Sequence, residues 1–136
     1  MTDPDVPPGF TPHARRSGLT APWEPLYSRQ TQDAVFLGFR AAAPHTNSRH
    51  FVHGGLISAL ADNAMGLSCG LGLANATGLV TVTLTVDFVA PGKLGQWMEF
   101  RPSVVKTGAT LCFASVLVVA DQAVCARGNA VFRVLN

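Results

Sequence analysis

Charge is scarce in this chain. Of its 136 residues, 13% are Asp, Glu, Lys or Arg, and the formal net charge is only +2. An average soluble domain carries about 25% charged residues. No Lys/Arg cluster is longer than Arg15-Arg16, so no basic stripe points to nucleic acid. A mildly positive balance still suits a small anionic ligand. Hydrophobic residues reach 48%, and this surplus of apolar surface predicts a buried subunit interface.

Cysteine is also sparse. Cys69, Cys112 and Cys125 are odd in number, share no CxxC spacing and fall in separate segments. They read as free thiols in a reducing compartment rather than as a disulfide frame or a metal set. No GxGxxG, Walker A, HExxH or GxSxG pattern occurs, which leaves no phosphate loop, zinc motif or serine elbow to argue from. The first residues are acidic and proline-containing, unlike a basic-then-apolar leader. The apolar stretch 54–73 carries Asp62 and five glycines, a poor membrane span. The expectation is one cytoplasmic domain with no metal and no bound cofactor.

The chain divides into an N-terminal arm, residues 1–22, and a domain, residues 23–136. The arm holds Pro4, Pro7, Pro8, Pro12 and Pro22, with a short helical turn expected around residues 10–17. It is placed to drape over a partner or a ligand tunnel, anchored by Trp23 to Tyr27. Gln32 to Ala41 reads as a first strand, and Ala42 to Val52 as a loop in which His45 and His50 are exposed. Gly54 to about Leu73 has helix length and is apolar nearly all round, so most of its faces should be buried. It should end near Gly72. Leu79 to Val89 alternates, with Val80, Val82, Leu84, Val86 and Phe88 on one face and Thr81, Thr83, Thr85 and Asp87 on the other. Gln96–Lys106, Leu111–Ala120 and Ala123–Val134 complete a β-α-β-β-β-β order. Long antiparallel strands around one apolar helix give an α+β hotdog architecture. A ferredoxin-like fold would need a second helix that the pattern lacks.

The chemistry concentrates in Asn47-Ser-Arg-His-Phe-Val-His53-Gly54-Gly55 and in Asp62. Glycines at a helix mouth let a ligand approach the backbone. The first helical N–H groups are unpaired and lie at the positive end of the helix. Together they can polarise a thioester carbonyl, although a plain turn would also use them. Asp62 can act as base or nucleophile; the bland alternative is an acid satisfied by Ser58 or Asn63. His53 and Asp62 are nine residues apart. On one helix that is half a turn out of phase and roughly 13 Å along the axis. A site using both therefore needs two subunits with antiparallel helices. Asn47 and His53 can donate to a thioester or brace the loop. Thr81, on the polar side of its strand, can hydrogen-bond Asp62. Lys93, Arg101 and Lys106 are candidates for phosphate contacts, each also readable as a solvated cation.

Residues 35–134 resemble the hotdog-fold acyl-CoA thioesterases of the phenylacetate-degradation (PaaI-like) type, in the 4-hydroxybenzoyl-CoA thioesterase superfamily. The matching positions are Asn47, His53-Gly54-Gly55, Asp62 in LADN, Thr81, and Pro91-Gly-Lys93. The resemblance implies hydrolysis of acyl- or aryl-CoA esters, with Asp62 as nucleophile or general base and the Gly55 N–H polarising the carbonyl. Asn47, His53 and Thr81 would orient water or thioester. Gly54, Asn63, Met65 and Lys93 are the expected substrate-binding residues, with Leu67 beside Met65. It also implies a homodimer or homotetramer with shared sites. Two rivals stay open at this point: a non-catalytic acyl-CoA-binding or sensing module on the same fold, and a hotdog dehydratase or hydratase, which would pair its acid with a His.

Overall fold

The computed structural model describes residues 5–136, so the first four residues of the arm lie outside the described residues. One helix, α1 (Gly54–Leu71), is wrapped by seven antiparallel strands. These are β1 (Thr11–Pro12), β2 (Tyr27–Gln30), β3 (Val35–Arg40), β4 (Gly78–Phe88), β5 (Trp97–Thr107), β6 (Leu111–Ala120) and β7 (Ala123–Leu135). They form one sheet in the order β1-β2-β3-β5-β6-β7-β4. This is the α+β hotdog fold, a long antiparallel sheet closed around a single helix.

The helix starts where His53, in an extended conformation, accepts a hydrogen bond from the Gly55 N–H. Such a cap satisfies one of the orphan donors of a helix start. It ends at Gly72, where the glycines from Gly66 onward have already thinned its packing. Leu56, Leu60, Ala64 and Met65 face the sheet and are buried. They meet Phe39, Met98, Phe100 and Val118. The rings of Phe39 and Phe100 stack at 6.3 Å between centroids. Fully burying side chains of this size contributes about 1.5–3 kcal/mol each.

The arm differs from expectation. Residues 10–17 hold no helical turn: Thr11–Pro12 is a strand against β2, and the helical turn lies at Ala21–Trp23. The strand β2 itself falls between the expected elements, because Tyr27-Ser-Arg-Gln is short and half exposed. The anchor is also wider than Trp23 to Tyr27. Phe10 packs edge-on to Trp97 with centroids 5.2 Å apart, and Arg29 stacks over Phe36 at 4.4 Å. Trp97 lies across Gly38 of β3 so closely that a side-chain carbon there would overlap its ring. Its indole N–H donates to the buried Glu99, which is paired with Arg101.

The alternation of β4 is broken by one extra residue. Thr81 pairs with Phe132 and Thr83 with Val131, so Val82 bulges out of register. The bulge changes which side chains look at the helix. Leu79 before it, and Leu84 and Val86 after it, pack on the core, while Val80 and Val82 are exposed. Thr81 is thereby separated from Thr83 and Thr85, with which strict alternation groups it.

The three cysteines are free and buried. Burial pushes the Cys125 thiol up to about 11, and burial together with the adjacent Cys112 raises that of Cys69 further. Thiols held protonated in this way are poor nucleophiles.

The Trp97–Gly38 contact gives a test of this packing. Gly38→Ala forces the indole off its seat and should destabilise the fold by about 1–3 kcal/mol, read as a lower urea midpoint. An unchanged midpoint would contradict the contact.

Candidate active site

The sheet covers α1 from one side only. Gly55, Ala59, the adjacent Asp62 and Asn63, Gly66 and Gly70, recurring about once per turn, are half-buried or exposed. The expectation of a helix buried on most faces therefore fails along this stripe. Asp62 lies on it, half-buried rather than sealed in the core. The Thr81 hydroxyl donates to the Asp62 carboxylate at 2.6 Å, and the bulge at Val82 aims it there. Bulges often re-aim a side chain at a functional site. Ser58 donates instead to the Gly54 carbonyl at 3.0 Å, so it is not the partner of Asp62.

Asp62 and Thr81 open into a cavity of about 870 Å³, also lined by Asn63, Gly66, Leu67 and Phe132. Asp62 is the one carboxylate among its described lining residues. Asn63 is exposed there. Met65 is fully buried in the core and is not part of the lining; its neighbours Gly66 and Leu67 line the cavity instead.

The other candidates form a second group at the helix mouth. The Asn47 carbonyl oxygen accepts from the Arg49 and Phe51 N–H groups at 2.9 and 3.2 Å, which leaves its amide NH2 as the free donor. Phe51 bridges to Lys93 through the backbone, and Lys93 is exposed. Gly54 is closely overlaid by the Phe88 ring of β4, 3.3 Å from where a Cβ would stand. The Gly55 N–H donates to His53 Nδ1 at 2.8 Å, so this amide is occupied by the chain's own imidazole. The cavity lining includes none of Asn47, His53, Gly54, Gly55 or Lys93. The candidates thus come together as two clusters, Asp62–Thr81–Asn63 and Asn47–His53–Gly54–Gly55–Lys93, on different parts of the protomer.

His45, expected in the open, is buried against Phe39 with ring centroids 4.4 Å apart. Its Nδ1 accepts from the Ala42 N–H at 3.0 Å, and its Nε2 sits 2.8 Å from the Trp23 carbonyl. That tautomer is neutral, and it pins the loop carrying Asn47 to the arm. No motif marks His45; its place two residues ahead of Asn47 was the available signal.

A family model described as the thioesterase superfamily matches residues 50–126. A Pseudomonas aeruginosa protein named "putative esterase" is 33% identical over 129 residues, covering 94% of this chain and 96% of that protein. Human acyl-coenzyme A thioesterase 13 is 36% identical over 82 residues, 60% of this chain and 58% of that protein. Among solved structures, zebrafish thioesterase superfamily member 2 superposes with a TM-score of 0.80 at 22% identity, covering 90% of each chain. The PaaI protein of E. coli shares the fold with a TM-score of 0.69 at 21% identity, over 76% of this chain and 74% of that one. The chain belongs to the thioesterase superfamily and is a thioester hydrolase.

The buried imidazole makes stability pH-dependent. Desolvation lowers the pKa of His45, against a smaller opposing effect of the Trp23 carbonyl. The unfolded chain takes up a proton near pH 6.5, while the folded chain resists until lower pH. The contribution of His45 is therefore full above about pH 6.5 and is lost as the pH falls below it, by at most about 1.4 kcal/mol per pH unit. Urea midpoints at pH 7.5 and 5.5 should fall for the wild type. They should differ less for His45→Gln; an equal fall in both would contradict this linkage.

Proposed function

We propose that the chain hydrolyses acyl- or aryl-CoA thioesters to free acid and coenzyme A, with the active site shared between two protomers. The observation that carries this reading is the Asp62 carboxylate. It is held by Thr81 at 2.6 Å on the open stripe of the helix, and it lines a cavity large enough for an acyl group. A carboxylate there can take a proton from water as water attacks the carbonyl carbon. The C–S bond then breaks, and coenzyme A leaves as its thiolate. Alternatively Asp62 attacks directly, and water hydrolyses the mixed anhydride that forms. Thr81 fixes the carboxylate rotamer, and Asn63, Leu67 and Gly66 border the acyl group.

The polarising donor comes from the second protomer. A two-fold pairing that sets two helices antiparallel brings one helix mouth against the Asp62 of the other. β4 is an edge strand of the sheet, with Val80 and Val82 exposed on it. Pairing of two β4 edges would continue the sheet and place the two open stripes together. The Gly55 N–H would then face a thioester oxygen, worth about 3–4 kcal/mol to a developing oxyanion. For that, the His53 ring must swing off the Gly55 amide, after which it and the Asn47 NH2 can donate to the thioester. Lys93, beside the mouth, suits a phosphate of coenzyme A. Leu111, Phe113 and Leu117 are exposed on the sheet and offer a second apolar contact, consistent with a homotetramer. Free buried thiols fit a reducing, cytoplasmic setting.

The test is thiol release from a panel of acetyl-, hexanoyl-, octanoyl-, phenylacetyl- and hydroxybenzoyl-CoA. Asp62→Asn should lower kcat by at least about 1,000-fold, within the range of a lost general base, while the circular dichroism spectrum and urea midpoint stay near wild type. Thr81→Val should lose roughly 10- to 100-fold, less than a lost base would. Wild-type turnover by Asp62→Asn would overturn the assignment.

A further inference from the structure

Among the described histidines only His45 is buried, and no step of the proposed chemistry uses its ring. An imidazole out of water is costly unless its nitrogens are satisfied. Both are. Nδ1 accepts from the Ala42 N–H at 3.0 Å, and Nε2 donates to the Trp23 carbonyl at 2.8 Å. The Phe39 ring of β3 packs against it, 4.4 Å between centroids. One side chain thereby joins the core, the start of its own turn and the turn Ala21–Trp23 at the end of the arm.

The backbone of His45 carries the connection onward to the helix mouth. Its carbonyl accepts from the His53 N–H at 2.9 Å, Thr46 bridges to Val52, and the Asn47 N–H donates to the Phe51 carbonyl at 2.8 Å. Residues 45–47 and 51–53 are therefore the two rails of a short antiparallel ribbon. The Asn47 side-chain oxygen closes its tip by accepting from the Arg49 and Phe51 N–H groups. Asn47 and His53 sit on opposite rails. So short a pair of strands does not hold its own place in water, and each rail has its own attachment. The rail of His53 is held by Val52, whose side chain is buried and whose N–H donates to the Gly92 carbonyl at 2.8 Å. The rail of Asn47 is held by the His45 ring.

We propose that His45 is a positioning residue for thioester hydrolysis: its ring holds the rail that carries Asn47, so that the Asn47 amide is aimed at the thioester. This rests on the proposed function, in which the Asn47 NH2 acts on the thioester beside the helix mouth. The ring touches no substrate and transfers no proton. It acts on orientation, where a misplacement of about 1 Å can cost on the order of 100-fold in rate. An imidazole suits this task because it satisfies one backbone donor and one backbone acceptor from a single planar group. Leucine fills comparable space but leaves the Ala42 N–H and the Trp23 carbonyl without that partner. Glutamine again offers one acceptor and one donor. The rival role is stability alone, in which the ring keeps the arm down and leaves the aim of Asn47 unaffected.

The experiment measures kcat and KM for the best acyl-CoA of the panel at a temperature where every variant is folded by circular dichroism. The set is wild type, His45→Leu, His45→Gln, Asn47→Asp and His45→Leu/Asn47→Asp. Asn47→Asp keeps the oxygen that closes the turn and removes the NH2 donor. His45→Leu should lower kcat by about 10- to 100-fold and leave KM within about threefold, the mark of an interaction made in the transition state. His45→Gln should recover most of that loss. In the Asn47→Asp background the same His45→Leu change should cost less than about threefold, because the donor it aims is already gone. A purely structural role lowers the active fraction by the same factor in both backgrounds, so an equal or larger loss there would overturn the proposal. So would wild-type kcat in His45→Leu. If His45→Leu does not fold, His45→Asn, too short to span both partners, replaces it in the same cycle. If neither folds, His45 is a residue of the fold and the proposal fails. Wild-type kcat in Asn47→Asp removes Asn47 from the site and this proposal with it, while Asp62→Asn still reports on the hydrolytic reading by itself.

Discussion

A sheet closing from one side cannot cover the whole circumference of an 18-residue helix. Everything that makes this protein more than a packed core follows from that constraint. The strands bury Leu56, Leu60, Ala64 and Met65, and the remaining stripe faces outward. Burying that stripe completely would require it to be apolar. Instead it carries Asp62, Asn63 and a run of small residues, so it makes a poor core surface and a usable reaction surface. A carboxylate on such a stripe keeps access to water and avoids the cost of full burial. The Thr81 hydroxyl then fixes its direction.

The same geometry separates the chemistry. The positive end of the helix, with its glycine pair, and the carboxylate on its flank do not line one cavity within a protomer. Hydrolysis of a thioester needs both at one carbonyl. In the proposed shared site a single chain supplies half of the machinery, and the low charge content of the sequence fits a surface around the stripe and the β4 edge that a second protomer would cover. The His53 cap on Gly55 fits this division. While no thioester faces the mouth, the imidazole satisfies an amide that would otherwise be an orphan donor. The ring is a replaceable partner, since a carbonyl oxygen can take over the same hydrogen bond.

Legibility followed period and length. Helix α1 and the strands β5, β6 and β7 were readable to within a residue or so, because ten or more residues repeat one pattern and Gly72, Thr107-Gly108 and Asp121-Gln122 punctuate them. The contact between Thr81 and Asp62 was readable too, from the polar side of the strand facing the helix acid. The details that failed are those that no local pattern encodes. A bulge at Val82 leaves the alternation of letters untouched while it turns Thr81 away from Thr83. The two strands at the start of the chain are short and half exposed, so neither hydrophobic periodicity nor propensity marks them. His45 looks like an ordinary loop histidine until the arm folds back and the Trp23 carbonyl meets its ring. Met65 and Leu67 sit two positions apart on an apolar helix, and only the direction of sheet closure decides that Leu67 reaches the cavity.

The arm shows why sequence patterns stop short of specificity. The Asp62 carboxylate and the helix mouth are fixed by the fold, so their spacing does not depend on the acyl group. Selectivity depends instead on what else lines the cavity, and here that includes a proline-rich segment tied down by Phe10, Trp23 and two short strands. Such a segment can change its length or charge without disturbing the core, because it contributes little to the buried cluster around Phe39 and Phe100. Tethering it through Trp97 and His45 nevertheless gives it a fixed position relative to Asp62.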